Sequence, residues 1–103
     1  MSKKISRILK LVFGEARLTY RELDARANQL ARHLIGLGIG PEQIVAIALP
    51  RSIEMVVALL AVLKSGAAYL PLDPDYPTAR LGFMLTDSGA SLLITQTDVI
   101  QEA

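Results

Sequence analysis

The chain has 103 residues, which is one domain at most, because typical domains run to roughly 100–200 residues. It has no cysteine, which excludes disulfides and thiolate metal sites and makes a reducing, cytoplasmic setting the default expectation. Aliphatic side chains bring the hydrophobic share to 51%, yet the longest wholly apolar run, residues 55–63, is far shorter than the ~20 residues that span a membrane. We therefore expect no membrane segment.

The net charge of +1 hides an uneven distribution. Residues 1–33 carry 8 basic and 3 acidic side chains, whereas residues 34–103 carry 3 basic and 7 acidic ones. The basic residues 1–10 fit either an arm that binds nucleic acid or anionic membrane, or a disordered terminus of foreign origin. No second basic cluster supports the arm, so we predict the second alternative, an α/β unit over residues 11–103, and no nucleic-acid or membrane partner.

Residues 11–13 are a candidate first strand, and a clearly marked helix follows them. Thr19 and Glu22 have the spacing of a capping box, and Leu18 and Leu23 that of a hydrophobic staple. Gly36 is the predicted left-handed residue that ends this helix. Apolar residues at steps of three and four predict one buried stripe: Tyr20, Leu23, Ala27, Leu30, Ala31 and Leu34.

Two features after this helix invite a functional interpretation that their context does not support. Gly36, Gly38 and Gly40 resemble part of a dinucleotide-binding fingerprint, but that motif follows a strand and opens a helix, whereas these glycines do the reverse. His33, the only histidine, has no carboxylate, serine or cysteine at a motif spacing. We interpret it as a partly exposed structural residue.

The next unit is the most apolar of the chain. Residues 44–49 form a continuous apolar run, which predicts a central parallel strand. Ser52 is the predicted N-cap of a second helix over residues 53–64, and Gly66 ends that helix. This helix is apolar almost all the way round, which predicts burial on more than one side, between the sheet and another body.

A third unit completes the pattern. Residues 68–72 predict a strand that either lies at a sheet edge or ends near Pro71, because proline cannot donate to the ladder. Pro77 opens a third helix, which Gly89 ends, and residues 92–95 are a fourth strand. The stripe of that helix is formed by Leu81, Met84 and Leu85.

Successive strand–helix–strand units require parallel pairing with right-handed crossovers. The sequence therefore predicts a three- to four-stranded, mainly parallel open sheet with helices on its faces. Thr97 has the character of another N-cap only six residues before Ala103, and a lone helix needs about 12–15 residues to be even marginal. We therefore expect a fragment of a larger domain.

Ligands of such sheets bind beyond the carboxyl ends of the strands, here at residues 50–52, 73–76 and 96–98. Asp73 and Asp75 have the chemistry to hold Mg²⁺, and Arg51 to bind a phosphate, but turn formation explains the aspartates better. There is no glycine-rich phosphate loop with its lysine, and no nucleophile–base pair. We expect no catalytic, cofactor-binding or metal-binding residue in this chain.

Two segments carry a family resemblance. Residues 18–23, LTYREL, resemble the first signature of the adenylation domains of nonribosomal peptide synthetases, and residues 63–73, LKSGAAYLPLD, resemble the second. The similarity extends over residues 12–96, and the lysine-rich first ten residues depart from it. It implies the N-terminal part of an adenylate-forming enzyme of secondary metabolite biosynthesis, a ligase that uses ATP and Mg²⁺ to convert an amino acid to its aminoacyl-adenylate.

The resemblance also implies that the parent passes the acyl group to the phosphopantetheine of a carrier domain. The family's ATP-phosphate loop, its selecting and ribose-binding aspartates and its catalytic lysine lie further along such chains and have no matching position here. We therefore expect this chain to be inactive alone, with the remainder of the adenylation domain and neighbouring synthetase domains as its partners. The alternative is a non-catalytic module that self-associates, as a homodimer, through the apolar face of the second helix.

Overall fold

The computed structural model describes residues 8–11 and 17–96, which form a four-stranded sheet with helices on both of its faces. Every strand pair is parallel and the strand order is β1-β4-β2-β3, which confirms the predicted fold class. The elements in chain order are β1 (Ile8–Lys10), α1 (Tyr20–Gly36), β2 (Ile44–Ala48), α2 (Ile53–Ser65), β3 (Ala68–Pro71), α3 (Thr78–Ser88) and β4 (Leu92–Thr95).

The centre of the sheet is formed by β2 and β4, whose side chains are almost all buried. They need no polar alternation, because helices cover both faces of a parallel sheet. Among the described strands β3 pairs only with β2, so it lies at the edge and also ends at Pro71, in agreement with both alternatives that the proline allows. The missing N–H of Pro71 costs nothing on the side that faces away from β2. The amide of Leu72 continues the pairing by donating to the Ile47 carbonyl at 2.8 Å.

The first strand does not lie where the sequence predicted it. β1 covers Ile8–Lys10, about three residues before residues 11–13, and it pairs in parallel with β4. The Leu11 amide extends this pairing by donating to the Thr95 carbonyl at 2.9 Å. The apolar run at 11–13 was the stronger strand signal in the sequence. Which residues form the strand depends, however, on the hydrogen bonds available along the free side of β4, and there Ile8–Lys10 pair. Residues 12–16 and Thr97 lie outside the described part of the chain.

The helix α1 begins at the predicted capping box. The Glu22 amide donates to Thr19 Oγ1 at 3.1 Å, and the Thr19 amide donates to Glu22 Oε1 at 2.8 Å. Hydrogen bonds from Thr19, together with the charge of Arg26, lower the pKa of the Glu22 carboxyl. Leu18 and Leu23 are both partly buried. Four of the six predicted stripe residues are buried: Ala27, Leu30, Ala31 and Leu34.

Tyr20 is a correction to that stripe, because its side chain is 90% exposed. Burial falls off toward the start of α1: Ala27 is fully buried, Leu23 is partly buried, and Tyr20 is open to solvent. The spacing therefore identified the packed face correctly. The first turn of the helix, however, projects beyond the layer against which the rest of it packs.

The end of α1 is a second correction. Gly36 is the last helical residue, Leu37 is a right-handed C-cap, and Gly38, with φ of 94°, is the left-handed residue. The Ile39 amide donates to the Leu34 carbonyl and the Gly38 amide to the Ile35 carbonyl, which is the Schellman pattern. Burial of Ile39 against the core fixes this choice of glycine. Gly66 and Gly89 end α2 and α3, as predicted, and both adopt the left-handed conformation.

The two faces of the sheet bear different layers. On one face α1 and α2 pack on each other and on the sheet, around core residues that include Val45, Val57 and Ile94. On the other face, Leu81 and Leu85 of α3 pack on a cluster that includes Leu93. Pro77 precedes α3 as its N-cap rather than standing inside the first turn, which begins at Thr78.

Candidate functional site

At the carboxyl ends of the neighbouring strands β2 and β3, the chain continues toward opposite faces of the sheet. After β2 the chain enters α2, on the face that also bears α1, and after β3 it enters α3, on the other face. Such a divergence is the topological switch point at which open α/β sheets form ligand crevices. An open groove of about 450 Å³ lies there, and its lining comes from both loops and the first turn of α2.

The loop between β2 and α2 is held by its own hydrogen bonds. Ser52 Oγ donates to the Pro50 carbonyl at 2.9 Å and accepts the Met55 amide at 3.2 Å, which confirms Ser52 as the N-cap of α2. Arg51 stands exposed on the rim of the groove. A single exposed guanidinium at a helix start gives weak affinity for an anion, because water screens its charge.

The loop between β3 and α3 is a turn in which Asp73 serves the backbone. Asp73 Oδ1 accepts the Asp75 amide at 2.9 Å, and the Asp73 carbonyl accepts the Tyr76 amide at 3.1 Å. Arg80 lies over the Tyr76 ring, 4.7 Å from its centroid, and anchors the turn to α3. These contacts are those of the turn that the sequence favoured over a Mg²⁺ site.

The third predicted ligand loop is only partly described. Gln96 is partly buried after β4, whereas Thr97 and Asp98 lie outside the described residues. Within residues 8–11 and 17–96, no three histidine, cysteine or carboxylate side chains come together as a metal site. His33 is exposed in the last turn of α1, where its carbonyl accepts the Leu37 amide at 3.0 Å. The structure thus brings Arg51 and the two aspartates to one groove, but it does not combine them with His33.

The two signature segments make structural contacts. Thr19 and Glu22 cap α1, as described above. In the second segment, Gly66 turns the chain with φ of 89°, and an added Cβ there would stand 3.5 Å from the Pro41 ring. The Ala68 amide then donates to the Gln43 carbonyl at 3.0 Å and starts β3 beside β2. Each contact holds a helix or strand in place.

The glycines and Pro41 predict a turn that leads into β2, but the sequence did not identify the left-handed residue of this turn, which lies next to Gly66. Glu42 has φ of 70°, and Gln43 closes the turn by donating its amide to the Gly40 carbonyl at 3.3 Å, while the Gly40 amide donates to Gln43 Oε1 at 2.8 Å. Pro41 followed by a left-handed residue is the geometry of a type II turn. The proline at its second position was the available signal, but the glutamate at the third position, where glycine is usual, concealed it.

The fold and groove define a class: a parallel α/β layer that positions loops, without an assembled catalytic group among the described residues. Its family follows from comparison with known proteins. The sequence model of the AMP-binding enzyme family matches residues 4–103, so the chain belongs to that family.

Relatives narrow the resemblance to nonribosomal peptide synthetases. The chain is 58% identical to the dimodular nonribosomal peptide synthase of Bacillus subtilis (strain 168) over 89 residues, which cover 86% of this chain and 4% of that protein. It is 49% identical to tyrocidine synthase 2 of Brevibacillus parabrevis over 102 residues, covering 99% of this chain and 3% of that one. The chain therefore spans only a few per cent of these relatives, and the predicted family resemblance is confirmed.

Comparison with solved structures also identifies nonribosomal peptide synthetases as similar proteins. The nonribosomal peptide synthetase FmoA3, crystallised with α-methyl-L-serine-AMP, superposes with a TM-score of 0.78 and 29% identity, covering 93% of this chain and 10% of that chain. NpsA-ThdA, an artificially fused adenylation–PCP di-domain from Klebsiella oxytoca, superposes with a TM-score of 0.72 and 31% identity. The match covers 88% of this chain and 16% of that chain. These comparisons give no support to the alternative of a self-associating interaction module. Over the part of the chain that the structure describes, no helix has the length and apolar character to cross a membrane.

Proposed function

We propose that the chain is the N-terminal scaffold of an amino-acid-activating adenylation domain of a nonribosomal peptide synthetase. The observation that carries this proposal is the 58% identity with a dimodular synthase over 86% of the chain. The parent domain uses ATP and Mg²⁺ to convert an amino acid to its aminoacyl-adenylate, and it then loads the acyl group onto the phosphopantetheine of a carrier domain.

The described residues do not fit ATP and Mg²⁺ by themselves. Asp73 uses a carboxylate oxygen to hold its own turn, and among the described residues Arg51 is the one cationic side chain that lines the groove at the switch point. Binding of a nucleoside triphosphate requires several hydrogen-bond donors that converge on its phosphates, and carboxylates that together hold the metal ion. We therefore assign no catalytic, cofactor-binding or metal-binding role to residues 8–11 and 17–96, and we propose that they hold the layer on which the rest of the domain is built.

The partners follow from this role. The remainder of the adenylation domain is the first, and the neighbouring domains of the synthetase, the carrier among them, are the others. A parent that draws on ATP and on cellular amino acids works in the cytoplasm, in keeping with a chain that has no cysteine to oxidise.

A replacement experiment tests the proposal. The 89-residue stretch of the Bacillus subtilis relative is exchanged for the matching residues of this chain, within that relative's adenylation domain, and amino-acid-dependent exchange of pyrophosphate into ATP is measured. We expect exchange with the relative's own amino acid, because the selecting and catalytic groups lie outside the replaced stretch. A folded chimera without exchange, or one that selects a different amino acid, would refute the scaffold assignment.

A further inference from the structure

The outer side of α1 carries more positive charge than its carboxylates balance. The helix and the three residues before it contain four arginines but only two acidic side chains. Both acidic side chains make contacts within the chain. Glu22 Oε1 accepts the Thr19 amide at 2.8 Å. Asp24 Oδ1 lies 3.4 Å from Lys64 Nζ, and Asp24 Oδ2 accepts a hydrogen bond from Asn28 Nδ2 at 3.3 Å. The outer side of α1 therefore keeps a net positive charge.

This arginine face is formed by Arg21, Ala25, Asn28, Gln29 and Arg32. Arg21 and Arg32 are exposed and lie 11 residues apart, which is about three turns and about 17 Å along the helix axis, so both stand on the same side of α1. Between them the exposed Ala25 is short, and it lines an open groove of about 370 Å³ together with Gln29 and Arg32. The face thus presents one cation at each end and a depression in the middle.

The permanently charged cations of α1 are all arginines, and arginine suits contact with carboxylates. Its planar guanidinium donates two parallel hydrogen bonds to a carboxylate and is more weakly hydrated than an ammonium group. Arginine and tyrosine are enriched in protein interfaces, whereas lysine is depleted. Tyr20, which is 90% exposed, and Ile35, which is 54% exposed, stand near the two ends of α1 and add apolar contact area there. The only lysine of α1 and α2, Lys64, instead pairs with Asp24 within the chain.

We propose that the arginine face is a docking surface for an acidic α-helix of a partner domain, with carboxylates about three turns apart. The charge of the face determines the sign of the partner's charge, and the spacing of Arg21 and Arg32 matches a helix that lies along α1 over Ala25. Nucleic acid fits less well, because Glu22 and Asp24 lie among the arginines and repel its continuous phosphate backbone, whereas a helix leaves those positions uncharged. Permanent interfaces are more apolar than this face, so the contact is reversible and the unoccupied face lies in water.

Two synthetic helical peptides of identical composition test the proposal. In the first, glutamates at i, i+4, i+7 and i+11 lie on one line, and in the second they are spread around the helix. Fluorescence anisotropy measures the binding of each labelled peptide at low salt, both to the chain alone and to the chimera described above. We expect the first peptide to bind at least about fivefold more tightly than the second, because only its carboxylates meet the arginines together.

Protein variants identify the surface that binds. Arg21→Gln and Arg32→Gln, combined in one protein, should weaken binding of the first peptide roughly tenfold, and added salt should reduce this difference. Arg51→Gln is the matched control, because it removes the same charge from the exposed rim of the switch-point groove. It should change the affinity less than about twofold. Far-UV circular dichroism verifies that the variants, all at exposed side chains, keep the fold.

Each other outcome overturns the proposal. Equal affinity for the two peptides, or an equal loss with Arg51→Gln, would show unspecific charge attraction, and no binding at millimolar peptide would show no docking surface. Binding to the chain but not to the chimera would mean that the face is covered within its own domain. Tighter binding of oligo(U) RNA, with the same dependence on Arg21 and Arg32, would assign the face to nucleic acid. Because anisotropy does not depend on turnover, a chimera that binds the first peptide without exchanging pyrophosphate would contradict the proposed function alone.

Discussion

The helices α1 and α2 lie side by side on one face of the sheet, and they bury similar residues but expose different ones. Inner residues of both are small or aliphatic and pack into one cluster. Outside, α1 is mostly polar apart from Tyr20 and Ile35 near its two ends, whereas α2 exposes Val56 and Leu63 two turns apart. The sequence of α2 predicts burial on a second side, whereas that of α1 predicts an outer face in water.

The caps of the two helices differ as well. α1 has a reciprocal capping box, in which Thr19 and Glu22 each satisfy the amide of the other. α2 has Ser52 alone, because the residue that donates to it, Met55, has no side chain that can reach back. A solvent-exposed helix needs its own terminal hydrogen bonds, whereas an apolar helix draws its stability from packing on more than one side.

The largest expected effect tests the shared inner face. Leu34 is fully buried on α1, and its neighbour Ile35 is 54% exposed. We expect Leu34→Ala to lower the free energy of unfolding by about 2–5 kcal/mol, because it removes buried methyl groups and leaves a cavity. Ile35→Ala is the control, with an expected change within about 0.5 kcal/mol. Urea denaturation measures both, and equal losses would mean that α1 does not pack on the face assigned to it.

The next effect separates the outer faces. We expect Leu63→Glu to change the stability of the chain alone by less than about 0.5 kcal/mol, since the side chain is largely exposed. In the chimera the same change should cost about 2 kcal/mol or more, because it buries a charge without a partner. Gln29→Glu on α1 should be neutral in both settings. Thermal denaturation of the two proteins measures the difference, and equal tolerance of Leu63→Glu in both would contradict it.

A smaller effect comes from the turn that joins α2 to β3. Gly66 holds φ of 89° close to Pro41, at a distance that leaves room for a methyl group. The cost of Gly66→Ala is therefore conformational, about 1–2 kcal/mol. Gly36→Ala, at a helical glycine with open space around it, is the control and should stabilise the chain slightly. A stabilising Gly66→Ala would show that the turn does not need a left-handed residue.

We expect Thr19→Ala and Ser52→Ala each to lower the free energy of unfolding by about 1 kcal/mol, because each removes the N-cap of a helix. The pH dependence of the first should differ from that of the second. The pKa of Glu22 is lowered in the folded chain, so its contribution is fully present above its ordinary value of 4.5 and is lost as the pH falls through the lowered value. Denaturation curves between pH 3 and 7 should therefore show the penalty of Thr19→Ala shrinking in acid. A penalty that does not change with pH would contradict the reciprocal box.

The smallest effect is a gain. Glu42 occupies the left-handed position of the turn after α1, with φ of 70°. Glu42→Gly should relieve the strain of that conformation, offset in part by the greater freedom of glycine in the unfolded chain, for a net stabilisation below about 1 kcal/mol. The melting temperature would rise by a few degrees, and a drop of similar size would show that the Glu42 side chain has a stabilising contact of its own.

Much of this fold is predictable because periodicity and turn residues report local structure directly. The central position of β2, the edge position of β3 and the capping box of α1 all follow from the residues themselves. The predictions are wrong where the local conformation depends on residues that are distant in the sequence. β4 selected Ile8–Lys10 as its neighbour, and burial of Ile39 selected Gly38 over Gly36 as the left-handed residue.

The groove shows the same division. That Arg51, Asp73 and Asp75 come to one edge of the sheet follows from the predicted parallel pairing, which places the carboxyl ends of the strands together. That Asp73 is committed to its own turn depends on side-chain geometry, which the residue types leave open between a metal ligand and a turn. The apolar character of α2 is visible in the sequence, but which of its sides faces solvent depends on where α1 packs.

The central claim is that this chain supplies a frame and leaves the nucleotide to residues elsewhere in the domain. Isothermal titration of the chain with ATP and Mg²⁺, alongside the chimera, tests it most directly. We predict no saturable binding to the chain at millimolar ATP and saturable binding to the chimera. Stoichiometric binding of ATP by the chain alone with a micromolar Kd, which corresponds to a binding free energy of about −8 kcal/mol, would contradict the claim.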